Sequence, residues 1–176
     1  MNKDAVEWVR EAPFADPAAM RLRPDFSYDE WFARGRALPQ AIETLIELLE
    51  REDLQRPSGD GMRVAYALGW IGDKRRRGVE ALVRALASKD IALQVEATSA
   101  IGRQGNASDA ALLESLLTNE AKDINVRGNA CIALGNIGSP KSEPLLRQIL
   151  EGRDAFLVSC AKEALRLMSD AGTSTP

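Results

Sequence analysis

Few residues in this sequence of 176 residues could support catalysis or metal binding. It contains no histidine and only two cysteines, Cys131 and Cys160. Without histidine, a Ser-His-Asp triad, imidazole acid-base catalysis and the common zinc and iron ligand sets are excluded. Each cysteine is next to an alanine and has no second cysteine nearby, which favours a small buried side chain.

Other catalytic patterns are missing from the sequence as well. Neither a Gly-x-Ser-x-Gly motif nor a glycine-rich phosphate loop is present. Carboxylate pairs such as Glu50 and Asp53 are typical of a solvated helix face rather than of a glycosidase cleft. We therefore predict no catalytic residue, metal or cofactor, and expect the chain not to be an enzyme.

Basic side chains are concentrated in one segment of an acidic chain. The net charge is −3, but residues 61–90 carry seven Lys and Arg against three Asp and Glu. Such a cluster can contact an acidic protein surface, a phosphate or RNA, or it can be a solvated loop. The net negative charge of the chain disfavours binding to nucleic acid. The consecutive cations are Lys74, Arg75, Arg76 and Arg77.

Paired glycines recur with a period of 33 residues. The first glycine of each pair is residue 69, 102 or 135, and the second is residue 72, 105 or 138. A degenerate fourth copy, Ala164-Leu165-Arg166-Leu167-Met168, has lost both glycines. A fixed period of this length indicates stacked helical units.

Each repeat reads as two short helices. Asp90, Asp123 and Asp154 each precede an apolar stretch, where the carboxylate can cap the first helix. We predict that the paired glycines end this helix in the left-handed conformation, and that neighbouring alanines let helices approach closely. A leucine-rich second helix follows.

The organisation of the chain follows from this repeat. We predict an N-terminal arm or cap over residues 1–26, a solenoid over 27–170 and a flexible tail over 171–176. Within the solenoid, 27–53 is a divergent repeat opened by the capping residue Ser27, and clear repeats run from about 60 to 168. Trp8 and Trp31 are expected to anchor the cap, because end repeats must cover an exposed core.

The phrase Ala133-Leu134-Gly135-Asn136-Ile137-Gly138, with Val126-Arg127 before it, resembles the short bacterial HEAT-like repeats of the phycobilisome-lyase type. This resemblance implies an all-α fold, an armadillo-like α-solenoid (α/α superhelix) of about four HEAT-like helix pairs, with second helices on a concave face. HEAT-like hydroxylases that depend on iron also resemble this architecture but use His-Glu motifs, which this chain cannot form.

Trp70 is the most distinctive candidate for partner binding. The equivalent residues in the other copies, Arg103 and Asn136, are polar, so this position is expected to face solvent beside the basic cluster. Exposed Trp and Arg side chains are enriched at interface hot spots. The predicted partner-binding residues are Trp70, Lys74, Arg75, Arg76, Arg77, Arg84, Arg103, Glu114 and Arg147.

These features favour a rigid curved surface that binds another protein. The most concrete version is an inhibitor, such as an immunity protein that neutralises a bacterial toxin by covering its active site. Two alternatives remain open: a phycobilin-lyase-like subunit or chaperone, and a nucleic-acid-binding module. No signal peptide or apolar run of about 18 residues is present, so we expect no membrane contact and a cytoplasmic location. The sequence leaves the oligomeric state open.

Overall fold

The computed structural model describes residues 2–11, 26–51, 60–72 and 76–173, and these ranges form α-helices and no strand. The chain is an all-α solenoid, as predicted. Two single 3-10 turns, Ala107–Asp109 and Pro140–Ser142, precede the seventh and ninth helices. The helices are α1 Lys3–Glu11, α2 Tyr28–Ala37, α3 Ala41–Leu49, α4 Asp60–Ile71, α5 Arg77–Ala85, α6 Ile91–Gln104, α7 Ala110–Thr118, α8 Ile124–Ile137, α9 Glu143–Leu150 and α10 Ala155–Thr173.

Aspartate caps start the first helices of the clear repeats. The Asp90 side chain accepts hydrogen bonds from the amides of Ala92 and Leu93. Asp154 likewise accepts from two amides at the start of α10, and Asp123 accepts from one at the start of α8. These bonds satisfy amides that have no partner inside the helix. The predicted caps are confirmed. They could be predicted because each cap depends only on residues that are neighbours in the sequence.

The helices form two layers. In one layer the first helices α4, α6, α8 and α10 pack each against the next, and in the other the second helices α5, α7 and α9 each pack against the first helix that follows in the chain. Each second helix therefore packs mainly on the first helix that follows it in the chain. Leu82, Leu113 and Leu146 lie at the centre of the second helices and are completely buried.

The first glycine of each pair sets the spacing of the first helices. A Cβ added at Gly69 would lie 2.8 Å from the Ala100 Cβ, and one at Gly102 would lie 2.6 Å from the Ala133 Cα. A Cβ at Gly135 would lie 2.6 Å from the Ala164 Cα. The prediction that these glycines end helices is wrong. They lie inside the helices, and because they have no side chain, the next first helix can pack directly against their backbone.

Only the second glycines end helices, and only two of them do so in the left-handed conformation. Gly72 has φ +75 and Gly138 has φ +67, a region that costs energy for residues with a Cβ. Gly105 has φ −68 and does not need this freedom. The prediction of left-handed glycine caps therefore holds at two of three repeats.

Two tryptophans join α1 to the divergent repeat. The Trp8 and Trp31 rings stack with centroids 4.5 Å apart, and each Nε1–H donates to the other residue's carbonyl at 2.8 Å. Both residues are buried. The Trp8 ring also fills the place where a side chain at position 35 would lie, which requires Gly35. Trp8 belongs to α1 and Trp31 to the divergent repeat, and their role as anchors of the predicted cap stays a prediction.

Among the first helices of the repeats, α10 differs from the others at the glycine positions. Residue 166, which corresponds to Gly135, is an exposed arginine that is paired with Glu163 and Asp170 on the same helix. Residue 169, which corresponds to Gly138, is Ser169, and α10 continues past it to Thr173. At both glycine positions α10 therefore carries a polar side chain.

Parts of the predicted organisation lie outside the described residues. These are residues 12–25 of the N-terminal arm, most of the loop before α4, and residues 174–176 of the tail. The predicted domain boundaries stay predictions. In the ranges the structure covers, no helix has both the length and the apolar character to span a membrane.

Candidate partner-binding surface

Trp70 lies at the C-terminal end of α4 and is 46% exposed. Its ring stacks on Phe32 of α2, with centroids 5.2 Å apart, and contacts Tyr66 at 6.1 Å. Tyr66 precedes Trp70 by four residues, so the two rings share one helix face. The predicted exposure of Trp70 is seen, but one side of the ring is held by other aromatic groups.

The cation beside these rings is Arg103 of α6. Its guanidinium carbon lies 5.1 Å from the centre of the Trp70 ring and 5.5 Å from that of Tyr66. Arg103 also donates to the Glu96 carboxylate and, at 3.0 Å, to the Ser99 hydroxyl. These contacts fix the guanidinium plane over the rings. We call Phe32, Tyr66, Trp70 and Arg103 the aromatic–arginine surface.

Burial changes the ionisation of groups in this surface. Burial raises the pKa of Glu96 above its ordinary value of 4.5, and the Arg103 guanidinium opposes this change. Burial likewise raises the pKa of Tyr66, so its hydroxyl stays neutral at physiological pH. The surface therefore presents π faces, a phenol and a guanidinium whose charge is largely balanced by Glu96.

The aromatic–arginine surface continues into the N-terminal cap. Tyr28 lies 6.1 Å from Tyr66 and 6.3 Å from Trp31, and Trp31 lies 6.4 Å from Tyr66, measured between ring centroids. The Trp31 ring in turn stacks on Trp8. A continuous set of packed rings thus supports the exposed indole, which limits the conformational entropy lost when a partner binds.

The described arginines of the basic cluster make ion pairs with neighbouring repeats. Arg76 donates to Asp109 at 2.8 Å, and Arg77 donates to Glu43 at 2.9 Å. Arg84 pairs with Glu50 in the same way. Each partner lies 33 or 34 positions away in sequence, about one repeat.

Sequence reasoning missed these partners, although opposite charges one period apart were a signal for them. Lys74 and Arg75 lie outside the described residues. A role of this cluster in partner binding stays a prediction.

Glu114 and Arg147 belong to second helices. Glu114 of α7 accepts a hydrogen bond from the Ser142 hydroxyl at 2.7 Å, which joins α7 to the start of α9. Arg147 of α9 is exposed and donates to Glu143 of its own helix at 2.9 Å. Neither side chain belongs to the aromatic–arginine surface, and their predicted role in binding stays a prediction.

Sequence reasoning identified Trp70 and Arg103 but missed Phe32, Tyr66 and Glu96. It also placed Trp70 beside the basic cluster, whereas the cation that the structure stacks on its ring is Arg103. The spacing of Tyr66 and Trp70 by four residues was a usable signal. Phe32 could not be found in this way because it precedes the first clear repeat.

No part of the chain that the structure describes brings together three or more side chains able to hold a metal ion. The cysteine thiols are not activated. Burial raises the pKa of Cys131 to about 12, and burial also raises the pKa of Cys160.

Comparison with protein-family models identifies repeats in two places. Residues 62–88 and 126–152 match the family described as PBS lyase HEAT-like repeat. The matched segments contain the glycine pairs 69/72 and 135/138 and the second helices α5 and α9. The HEAT-like resemblance inferred from the sequence is confirmed. Comparison with curated proteins finds no matching sequence.

A solved structure of human deoxyhypusine hydroxylase in complex with glycerol has a similar fold. The TM-score is 0.63 at 18% sequence identity, and the similarity covers 96% of this chain and 64% of the hydroxylase chain. This chain thus spans less than two thirds of that protein. At this identity the similarity concerns the fold.

The comparison corrects the expectation that the chain is not an enzyme. The similar structure is that of an enzyme, so a HEAT-like solenoid without familiar motifs is compatible with enzymatic activity. The absence of histidine still prevents His-Glu motifs of the kind expected in iron-dependent HEAT-like hydroxylases. HEAT-like repeats indicate a protein-interaction or scaffold module. The chain contains two HEAT-like repeats, at residues 62–88 and 126–152, within an all-α solenoid fold.

Proposed function

We propose that this chain binds a partner protein on the aromatic–arginine surface. The observation that carries the proposal is the exposure of Trp70 on a rigid aromatic support. Trp, Tyr and Arg are the residue types enriched at binding hot spots, and all three converge on this surface. A large apolar ring that stays 46% exposed in a well-packed solenoid gains most when a partner covers it.

Charge pairing supports a protein partner over a polyanion. Arg103 is balanced by Glu96, and Arg76, Arg77 and Arg84 are each paired with a carboxylate. A nucleic acid would have to compete with these carboxylates, and its affinity would fall steeply with salt. We expect binding that depends mainly on apolar contact and changes little with salt.

The finer proposal is that the chain acts as an inhibitor. A rigid surface of this kind can cover the active site of an enzyme or a bacterial toxin, as an immunity protein does. Its support is the preorganisation of the surface, which would let the partner dock without reordering the chain.

The test compares Trp70→Ala with a matched control, Phe156→Ala. Phe156 is 45% exposed on α10, so both variants remove an aromatic ring of similar exposure from different surfaces. Tagged wild type and both variants are used to capture a partner from the native host, and the partner is then purified for calorimetry. We expect Trp70→Ala to weaken the affinity at least tenfold, Phe156→Ala to leave it unchanged, and both to keep wild-type circular dichroism.

Equal affinities of the two variants would overturn the proposed surface. Recovery of RNA or DNA with steep salt dependence would favour the nucleic-acid alternative instead. A tetrapyrrole-bearing protein whose visible absorbance changes on mixing would favour the lyase-like alternative. Loss of activity of a captured enzyme or toxin on titration, absent with Trp70→Ala, would support the inhibitor version.

A further inference from the structure

The two cysteines of the chain lie in the contact between α8 and α10. Gly128, Cys131 and Gly135 recur at positions i, i+3 and i+7 of α8, so they form one stripe on that helix. A Cβ at Gly128 would lie 3.2 Å from the Cys160 Sγ, and one at Gly135 would lie 2.6 Å from the Ala164 Cα. Cys131 therefore lies between two positions at which α8 touches α10.

The register of the two helices places the thiols opposite each other. Residue 164 follows residue 135 by 29 positions, and residue 160 follows residue 131 by the same 29 positions. Gly128 faces Cys160 and the later Gly135 faces the later Ala164, so α8 and α10 run parallel. The offset of 29 positions at Gly135 and Ala164 therefore also applies one turn earlier, at Cys131 and Cys160. A disulfide needs Cα atoms about 4.4–6.8 Å apart. The close contact of the two backbones at Gly135, one turn away, favours a separation of this size between the Cα atoms of Cys131 and Cys160.

The two thiols differ in access to solvent. Cys131 is completely buried, whereas Cys160 is half-buried. Burial raises the pKa of each thiol, and the neighbouring thiol adds to the increase at Cys131 while Asp154 adds to it at Cys160. Since the thiolate is the reactive form, the pair is protected at neutral pH and becomes more reactive as the pH rises.

We propose that Cys131 and Cys160 form a dithiol modification site, which a small disulfide oxidant such as oxidised glutathione converts into a disulfide between α8 and α10. The Cys160 thiolate attacks the oxidant, forming a mixed disulfide and releasing one glutathione thiolate, which takes up a proton. The Cys131 thiolate then attacks the Cys160 Sγ and releases the second glutathione thiolate. Two protein thiols are oxidised and one glutathione disulfide is reduced to two thiols.

The bond would join the last helix to the rest of the solenoid. Each repeat unit in such an array is stabilised by its contacts with neighbouring units. In the described residues α10 packs on α8 and α9. A disulfide across the α8–α10 contact would hold α10 in place when the repeats open locally.

The experiment treats the reduced, folded full chain with oxidised glutathione near neutral pH and at a more alkaline pH. Intact mass spectrometry and peptide mapping without reduction follow the products. We expect the wild type to lose two hydrogen atoms in mass through a Cys131–Cys160 bond, faster at the higher pH. Cys131→Ala should stop at one glutathione adduct on Cys160, and Cys160→Ala should stay unmodified while folded.

Two further results decide the proposal. Unfolding of the oxidised and the reduced wild type is followed by circular dichroism, and we expect a higher midpoint for the oxidised form. Stable glutathione adducts or linked dimers in the wild type, with no internal bond, would overturn the facing geometry. An unchanged midpoint would overturn the stabilising role of the bond. Both measurements use the wild type, so they stand even if a variant fails to fold.

Discussion

The close packing of the first helices predicts that one added methyl group at Gly102 destabilises the protein. In Gly102→Ala the new Cβ would lie 2.6 Å from both the Cα and the Cβ of Ala133. Real Cβ atoms do not come this close to other heavy atoms, so α6 and α8 would have to separate. Separation would also loosen the contacts on either side, because α6 packs on α4 as well.

Two effects of opposite sign set the magnitude. Alanine is favoured over glycine inside a helix by about 1 kcal/mol. Overpacking in a well-packed interior costs about 1–3 kcal/mol, and at Gly102 the obstructing atom is backbone, which cannot rotate away. We expect the cost of the overlap to exceed the gain in helix preference. The free energy of unfolding should fall by about 1 kcal/mol and the melting temperature by about 2–4 °C. Gly102→Val should lose more, since it adds two further methyl groups.

The assay is denaturant and thermal unfolding followed by circular dichroism and tryptophan fluorescence. Ala92→Gly provides the calibration, because Ala92 is an exposed residue of the same helix and reports the helix preference without the overlap. If Gly102→Ala stabilised the protein by as much as Ala92→Gly destabilises it, the new methyl group would be free of overlap. That result would refute the role of the first glycine in setting the helix spacing.

Three other predictions concern the cap, the buried carboxylate and the repeat-linking ion pairs. Trp8→Phe removes the hydrogen bond to the Trp31 carbonyl and leaves a gap beside Gly35, so the free energy of unfolding should fall by about 2 kcal/mol in denaturant titrations; no change would contradict the interlocked cap. Because the folded pKa of Glu96 is raised, the carboxyl contributes stability below its ordinary pKa of 4.5 and loses it as the pH rises through the raised value. The wild type should therefore lose stability relative to Glu96→Gln over that range, and parallel pH profiles would contradict the shift. Arg84→Ala breaks an exposed pair and should cost less than about 1 kcal/mol, with a smaller effect at high salt; an effect that salt does not change would argue against an ionic origin.

Local features of the fold could be predicted from the sequence. The caps at Asp90, Asp123 and Asp154 depend on amides two or three residues away, and the 33-residue period reports the stacking directly. The role of Gly102 could not be predicted in this way. Its obstructing neighbour belongs to the next repeat, and the same residue type also ends helices.

The candidate surface was predictable only in part. Trp70 was identified because the residues at its equivalent positions are polar, and that argument used the repeat alone. The contacts of its ring could be found only from the structure. Phe32 belongs to a repeat that lacks the glycine signature, and Arg103 is one full period away in the sequence. In the sequence the basic cluster is a local run of charge, whereas in the structure its described members pair with carboxylates one period away.

Arg166 has a consequence for how many units of this kind can be stacked. Each earlier first helix accepts its successor through a glycine, and α10 offers an arginine with two carboxylate partners at that position. A duplicated copy of the Gly135 repeat joined after α10 would meet this side chain before its backbone could reach the helix. Packing a further helix on α10 with the same close backbone contact would therefore require a small residue at position 166.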